Sequence, residues 1–413
     1  MRAYPSAGGL TRRRARSWRS VPAVDFTIPQ EYEDLVGSFR SFLEREARPL
    51  EERFAQELQE ESLTEEARQE GLSLRRRSAE AGFYAAYMPE EVGGGGLPSL
   101  GYTLLVEEGG KMGLRMGGFA LGPPSPEAPT PILMDLQPEV RDTYVPPLCR
   151  GETTMCFALT EPDTGSDAQA IRTRAVQDGE DWVLNGRKHF ITNAPRADHA
   201  LVFAVTDPDK KAAGGITAFF VDADTPGFVR GKNQRTMAGD TGTGELIFED
   251  CRVPADRVVG EVGFGFQSAM KFLNSGRAYI GAMCVGIADH LIRICVEYAN
   301  ERTAFGKPIG KNQAVQWMLA DSAVEAQSAR LMTYYLAWMV DEGQYPILQS
   351  SMVKLNNTEM VGRVADRAVQ IWGGMGLLSE GPVERIYRWV RMLRIVEGTS
   401  EIQRLIIART LGL

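Results

Sequence analysis

The chain has 413 residues, of which 43% are hydrophobic and 24% charged, an ordinary globular composition with material for more than one core. Its net charge is −8; residues 1–24 carry six arginines and no acid, so the remainder stands at −14, which argues against nucleic acid as a partner. No window approaches the ~18 consecutive apolar residues of a membrane helix. Five cysteines without a CxxC pair and three histidines without ligand spacing argue against a disulfide framework, a metal centre and a Ser-His-Asp hydrolase.

The basic tail, residues 1–24, has three readings: a transit peptide, a disordered leader without a role, or an overextended start. Pro5, Gly8 and Gly9 interrupt any amphipathic helix there. The expected location is the cytoplasm, or the mitochondrial matrix if the tail is a transit peptide. Residues 27–88 then read helical, with Ile28, Tyr32, Leu35, Phe39, Phe42 and Leu43 at helical spacing. Gly93 to Gly96 lack the Lys-Ser/Thr of a phosphate loop and read as a flexible connection. Helix resumes near Leu100 until Pro123, Pro124, Pro126, Pro129 and Pro131 interrupt it.

From about residue 153 the pattern turns to strands. Asn185-Gly186 reads as a hairpin turn, and Leu201–Val205, Ile216–Val221 and Leu246–Phe248 read as strands. Beyond Gly265 the chain is helical again. Val315, Met318, Ser322, Ala326, Ala329, Thr333, Leu336 and Val340 form a small-residue stripe suited to close packing, within a bundle of three or four long helices, and offer a surface that could pack the bundle against a partner chain.

Four segments carry chemistry. Cys156 to Asp167 holds a strand end and a Gly165-Ser166 turn, whose N–H groups and hydroxyls can hold a polar heterocycle or form an ordinary turn. Phe190 and Thr192, two apart on a strand, would share a face, to stack on a ring and donate to it, or simply to pack in a core. Gly373-Gly374, after a helix ending in Gln370-Ile-Trp, permit close approach of a phosphate or cap the helix. Glu397, between Val396 and Gly398, precedes a capping box of Ser400 and Gln403. It is either a desolvated general base or a solvated loop carboxylate.

Together and in this order, with Arg302-Thr-Ala-Phe305-Gly306 and Asn312-Gln313-Ala314, these segments resemble the acyl-CoA dehydrogenase family from about residue 27 to 413. The resemblance implies an α+β fold. An N-terminal helical domain (25–152) would precede a middle β-barrel-like domain (153–265) and a C-terminal four-helix-bundle domain (266–413). It implies FAD held by Phe157, Leu159, Thr160, Gly165, Ser166, Phe190 and Thr192, by Thr399 and Glu401, and by Arg302, Phe305, Gln313, Gln370, Gly373 and Gly374. The last six would reach the FAD of a neighbouring subunit in a homodimer or homotetramer. It implies Glu397 as base, with Ser166, Asn274, Arg277 and Gly398 facing an acyl-CoA, and an electron-transfer flavoprotein as acceptor. No membrane partner is implied. Some relatives carry the base at the position held here by Gly276.

The sequence departs from the family pattern at several places: Thr164, Phe190 where Trp is common, Gly239 near a common Arg, and Trp389 at a usually acidic position. Prolines 123, 124 and 126 stand where relatives have a helix lining the acyl pocket, and small Val396 adjoins the base. A pocket for branched or bulky acyl groups is therefore expected. A flavin oxidase or monooxygenase of the same fold and a catalytically silent scaffold are the rival readings.

Overall fold

The computed structural model describes residues 27–122 and 127–413, with the side chain of Ser275 outside that set. The basic tail and prolines 123, 124 and 126 lie outside the described residues. An N-terminal helical unit comprises α1 (Gln30–Phe42), α2 (Arg48–Arg53), α3 (Ala55–Gln59), α4 (Glu65–Glu80), α5 (Ser99–Met112) and α6 (Pro138–Cys149). Thr64 caps α4, its side chain accepting from the Ala67 N–H at 3.2 Å. Gly93 to Gly96 form a bonded turn rather than a flexible connection. Gly96 N–H donates to the Met88 carbonyl at 2.9 Å, and a Cβ on Gly94 would lie 2.0 Å from that oxygen. Glycine is required there because two backbones touch.

The middle unit is a mixed sheet of β1 (Met155–Ala158), β2 (Arg174–Asp178), β3 (Asp181–Thr192), β4 (His199–Val205), β5 (Ile216–Asp222), β6 (Phe228–Thr236), β7 (Gly239–Val253) and β8 (Val258–Val259). Its order is β6-β7-β3-β2-β4-β5-β8, with β1 parallel to β4. Both faces are covered, which is why β4 and β5 read as unbroken apolar runs. Cys156, Ala158, Val202 and Ala204 point into the sheet's own core. Their alternates Phe157, Leu159, Leu201 and Phe203 pack on a second core shared with α6 and the start of the next helix.

Asn185-Gly186 is not a turn. The hairpin between β2 and β3 turns at Gly179 (φ 67°), and β3 runs on through Gly186 as a bulge against β7. The Asn185 amide exchanges hydrogen bonds with Asp250 at 2.9 and 3.0 Å, which pins the bulge. Local turn propensity yielded here to pairing along a 15-residue neighbouring strand.

The C-terminal unit holds α7 (Gly265–Glu301), α8 (Gln313–Asp341), α9 (Ile347–Trp372), α10 (Pro382–Met392) and α11 (Ser400–Thr410). Among the described residues α7 alone is long and apolar enough to cross a bilayer, and half of that stretch is buried against protein. Gly286 lets α5 and α7 touch, since a Cβ there would lie 2.1 Å from the Glu107 carbonyl. Asp341, at the end of α8, accepts from the Ser99 and Leu100 N–H groups at 2.6 and 2.9 Å and so caps α5 from another unit.

The small-residue stripe of α8 does not face outward. Ser322, Ala326, Ala329, Thr333 and Leu336 are buried within the chain's own bundle. Its outer face instead carries exposed Trp317, Val324, Leu331, Tyr335 and Trp338. Small residues mark where helices of one chain approach most closely, so the stripe was spent on folding.

Candidate active site

Glu397 lies in the turn between α10 and α11 with φ 55°, a conformation few non-glycine residues adopt. Of seven such residues among those described, Phe190, Phe305 and Glu397 are all positions singled out from sequence. Strained backbone of this kind clusters at functional sites. The helix cap beyond Glu397 falls one residue earlier than expected: Thr399, not Ser400, accepts from the Ile402 N–H at 3.3 Å. Ser400 donates to Glu359 at 2.8 Å instead. Gln403 turns back and donates to the Gly398 carbonyl at 3.0 Å. Gly398 has φ 90°, and a Cβ on it would lie 2.7 Å from the Gln403 Nε2. Glu401 sits exposed in the first turn of α11.

Glu397 as a residue is half-buried, and protein surrounds its carboxyl group. Burial pushes it up to about 7, against the opposing pull of Arg277 and then Lys354. Arg277 is buried on α7 and donates to Asn274 at 2.6 Å. Asn274 donates in turn to the Tyr345 hydroxyl at 2.7 Å, and its carbonyl accepts from Ser350. The two residues expected to face the acyl ester therefore form one bonded unit, with Arg277 close beside Gly398. Around Gly276 no atom lies within 4 Å of where a Cβ would stand, so side-chain space is open at that point.

Phe157 belongs to β1, its ring 4.8 Å from Phe203 and 6.1 Å from Phe272 at the start of α7. Leu159 is buried, Thr160 half-buried, and Gly165 and Ser166 are exposed in the turn beyond β1. That segment is pinned by a residue the sequence reading missed. Lys188, fully buried on β3, donates to the Leu159 carbonyl at 3.0 Å and to Glu161 at 2.8 Å. Glu161 also accepts from the Arg172 and Thr173 N–H groups at 2.6 and 2.9 Å. Burial tends to raise the Glu161 carboxyl, but Lys188 and these donors hold it below its usual range. Burial likewise drives Lys188 down to about 8 despite Glu161. The signal was present: Lys188 falls in phase with buried Trp182 and Leu184.

Phe190 is 63% exposed, an unusual setting for a strand phenylalanine. Its positive φ and a register shift between Lys188 and Ile191 interrupt the regular pleat just ahead of Thr192. Thr192 is half-buried near the end of β3.

The remaining site residues gather at the far end of the bundle. Arg302 caps α7, Gln313 opens α8, and Gln370, Gly373 and Gly374 end α9. Tyr298 and Trp372 stack at 4.4 Å and lock these ends together. Phe305 is fully exposed in the intervening loop, and no atom lies within 4 Å of the Cβ positions of Gly306, Gly373 and Gly374. Arg302 lies about 25 residues beyond Arg277 along α7, roughly 37 Å at helical rise. Phe157 touches the opposite end of the same helix through Phe272. The two sets of residues expected at the cofactor are thus separated within one chain.

The two sets carry groups that suit a flavin dinucleotide: exposed aromatic rings at Phe190 and Phe305, open glycines at 165, 373 and 374, and a buried Thr164 hydroxyl without a partner among the described residues. The chain matches three family models: the acyl-CoA dehydrogenase N-terminal domain over 29–152, the middle domain over 156–251 and the C-terminal domain over 263–412. It is 39% identical over 407 residues to the human mitochondrial short-chain specific acyl-CoA dehydrogenase, covering 97% of this chain and 96% of that one. It is 38% identical to an acryloyl-CoA reductase (NADH) of Anaerotignum propionicum, over 94% and 95% of the two chains. The butyryl-CoA dehydrogenase structure of Megasphaera elsdenii superposes with a TM-score of 0.84 at 32% identity, covering 94% of this chain and 100% of that one. An FAD complex of PigA superposes with a TM-score of 0.86 at 29% identity, over 94% and 100% of the two chains. On this fold, this site and these matches, the chain belongs to the acyl-CoA dehydrogenase family of FAD-dependent oxidoreductases.

Proposed function

We propose that the protein dehydrogenates an acyl-CoA thioester to the trans-2-enoyl-CoA, with Glu397 as the α-proton base. The observation that carries this reading is the strained Glu397–Gly398 turn, with buried Lys354 on the Gly398 carbonyl and buried Arg277 close beside Gly398. A carboxylate poised near neutrality takes a weakly acidic proton better than a solvated one. Bound FAD supplies the acceptor for the β-hydride. The Glu397 N–H finds no backbone acceptor among the described residues, so it is free to donate to the thioester oxygen and stabilise the developing enolate. The α C–H bond breaks with its proton passing to the Glu397 carboxylate, and the Cα–Cβ double bond forms as the hydride leaves. Electrons then pass to an electron-transfer flavoprotein, a reading supported by likeness to a chain in the structure of the electron transferring flavoprotein of Acidaminococcus fermentans, with a TM-score of 0.84 at 35% identity.

Anaerobic bleaching of the flavin by a panel of acyl-CoA thioesters tests this. Bleaching by at least one thioester is expected; none across the panel, or oxygen consumption without added acceptor, would overturn it. The expected pocket for bulky acyl groups rests on prolines outside the described residues, and the same panel decides it.

The rate of flavin reduction is expected to rise with pH through about 7, because only ionised Glu397 accepts the proton. The stability sign is opposite. The folded value is raised, so the fold favours the neutral acid, and that contribution is lost as pH rises through about 7. A pH-independent reduction rate between about 5.5 and 8.5 would contradict the assignment.

The separated cofactor residues support an FAD site completed by a second chain, in a dimer or a tetramer. The exposed apolar face of α8 provides a surface for such contact. Flavin is expected to leave as light-scattering mass falls on dilution, sooner in Arg302→Ala, whose planar guanidinium suits a phosphate. A monomer with full flavin occupancy would refute the shared site.

A further inference from the structure

We propose that Lys354 is a positioning residue for the base: from α9 its ammonium fixes the Glu397–Gly398 turn by the Gly398 carbonyl and adds a second cation, beside Arg277, that favours the ionised carboxylate of Glu397. The inference rests on Glu397 being the base.

Lys354 has no accessible surface, and its Nζ donates to the Gly398 carbonyl at 2.8 Å. It stands in the middle of α9, one turn from Ser350 and one from Thr358, both fully buried. That is a core position, where an apolar side chain would be the ordinary occupant. A buried ammonium persists only when something charged or polar answers it. Its hydrogen-bond acceptor is a carbonyl of the active-site turn rather than a carboxylate.

The charged and titratable groups around it come from each packed element. Arg277 and Cys284 project from α7, Glu359 from α9 itself and Glu401 from α11, while Glu397 lies in the turn; Arg394, two residues past α10, reaches Glu359. Glu359 is already engaged by Arg394 at 3.2 Å and by Ser400 at 2.8 Å. Glu397 is the carboxylate that acts most strongly on the ammonium, whereas burial is the larger influence and drives Lys354 down to about 8. The Gly398 carbonyl thus receives two donors, Lys354 and Gln403, from α9 and α11. Together they hold the peptide that follows the base. Removing the positive charge leaves Arg277 as the one cation opposing desolvation of Glu397. The carboxyl then keeps its proton to higher pH, and fewer molecules carry an active base near neutrality.

The test is stopped-flow reduction of the bound flavin, in holoenzyme, by whichever acyl-CoA bleaches the parent fastest, followed as a function of pH. Lys354→Gln keeps a donor for the carbonyl without the charge, Lys354→Arg keeps both, and Lys354→Met keeps neither. We expect the midpoint of the rate profile to move up by about one pH unit in Gln and Met, about a tenfold slower reduction below the midpoint. The rate should recover at high pH in Gln, and Arg should return the midpoint close to the parent value. A simple packing role would lower the rate equally at all pH values. An unshifted midpoint in the Gln variant, or loss of FAD from all three variants, overturns the proposal. If Met alone loses flavin, the Gln and Arg pair still decides. Glu397→Gln serves as the control. If it still reduces flavin, the assignment of the base fails; if it is inactive while the Lys354 variants are unshifted, only this inference fails.

Discussion

Glu397→Gln is expected to retain the fold and the flavin while losing flavin reduction by about 10²–10⁴-fold or more, the usual worth of a positioned base. The amide is nearly isosteric and accepts no proton. Neither Arg277 nor Lys354, the two cations beside it, offers a substitute carboxylate, and the position used for a base in some relatives is Gly276. Losing a carboxyl that is neutral-favouring in the fold should not unfold the chain, so an unchanged flavin spectrum with no bleaching is the expected record. Reduction within about tenfold of the parent would place the base elsewhere.

Lys188→Met is expected to cost about 3–5 kcal/mol, because it leaves the buried Glu161 carboxylate without its cation. The Arg172 and Thr173 N–H groups remain, and they are too few to replace a full charge. The effect reaches the flavin because the same ammonium holds the Leu159 carbonyl, next to Thr160. Denaturant unfolding of the β domain should shift to lower midpoint, and flavin should be released before global unfolding. Pairing it with Glu161→Gln should recover much of the loss, since no unpaired charge then remains. A single variant within about 1 kcal/mol of the parent would show the pair to be incidental.

The exposed aromatics show where sequence patterns ran out. Phe190 and Phe305 were noticed through motifs, but their positive φ and exposure arise from a bulge and a tight loop that periodicity does not encode. The same holds for Asn185-Gly186, a local turn signal overridden by pairing with a distant strand. In α8 the small-residue period was read correctly as a packing surface, but which partner it met was a question of tertiary placement.

What the residues determined by themselves was the order of helical, strand and helical segments, the flavin motifs in register, and a carboxylate between Val396 and Gly398 ahead of a helix. Each depends on short-range spacing, which the chain carries wherever it folds. What the tertiary structure alone decided was the state of that carboxylate. Its rise to about 7 needs protein packed around it and cations from α7 and α9, over a hundred residues and some forty residues away in sequence. Desolvation and charge proximity are properties of the assembled interior, so Lys354 reads in sequence as an ordinary lysine until α9 buries it beside the site, and Lys188, though in phase with Trp182 and Leu184, gains its partner Glu161 only in the assembled fold.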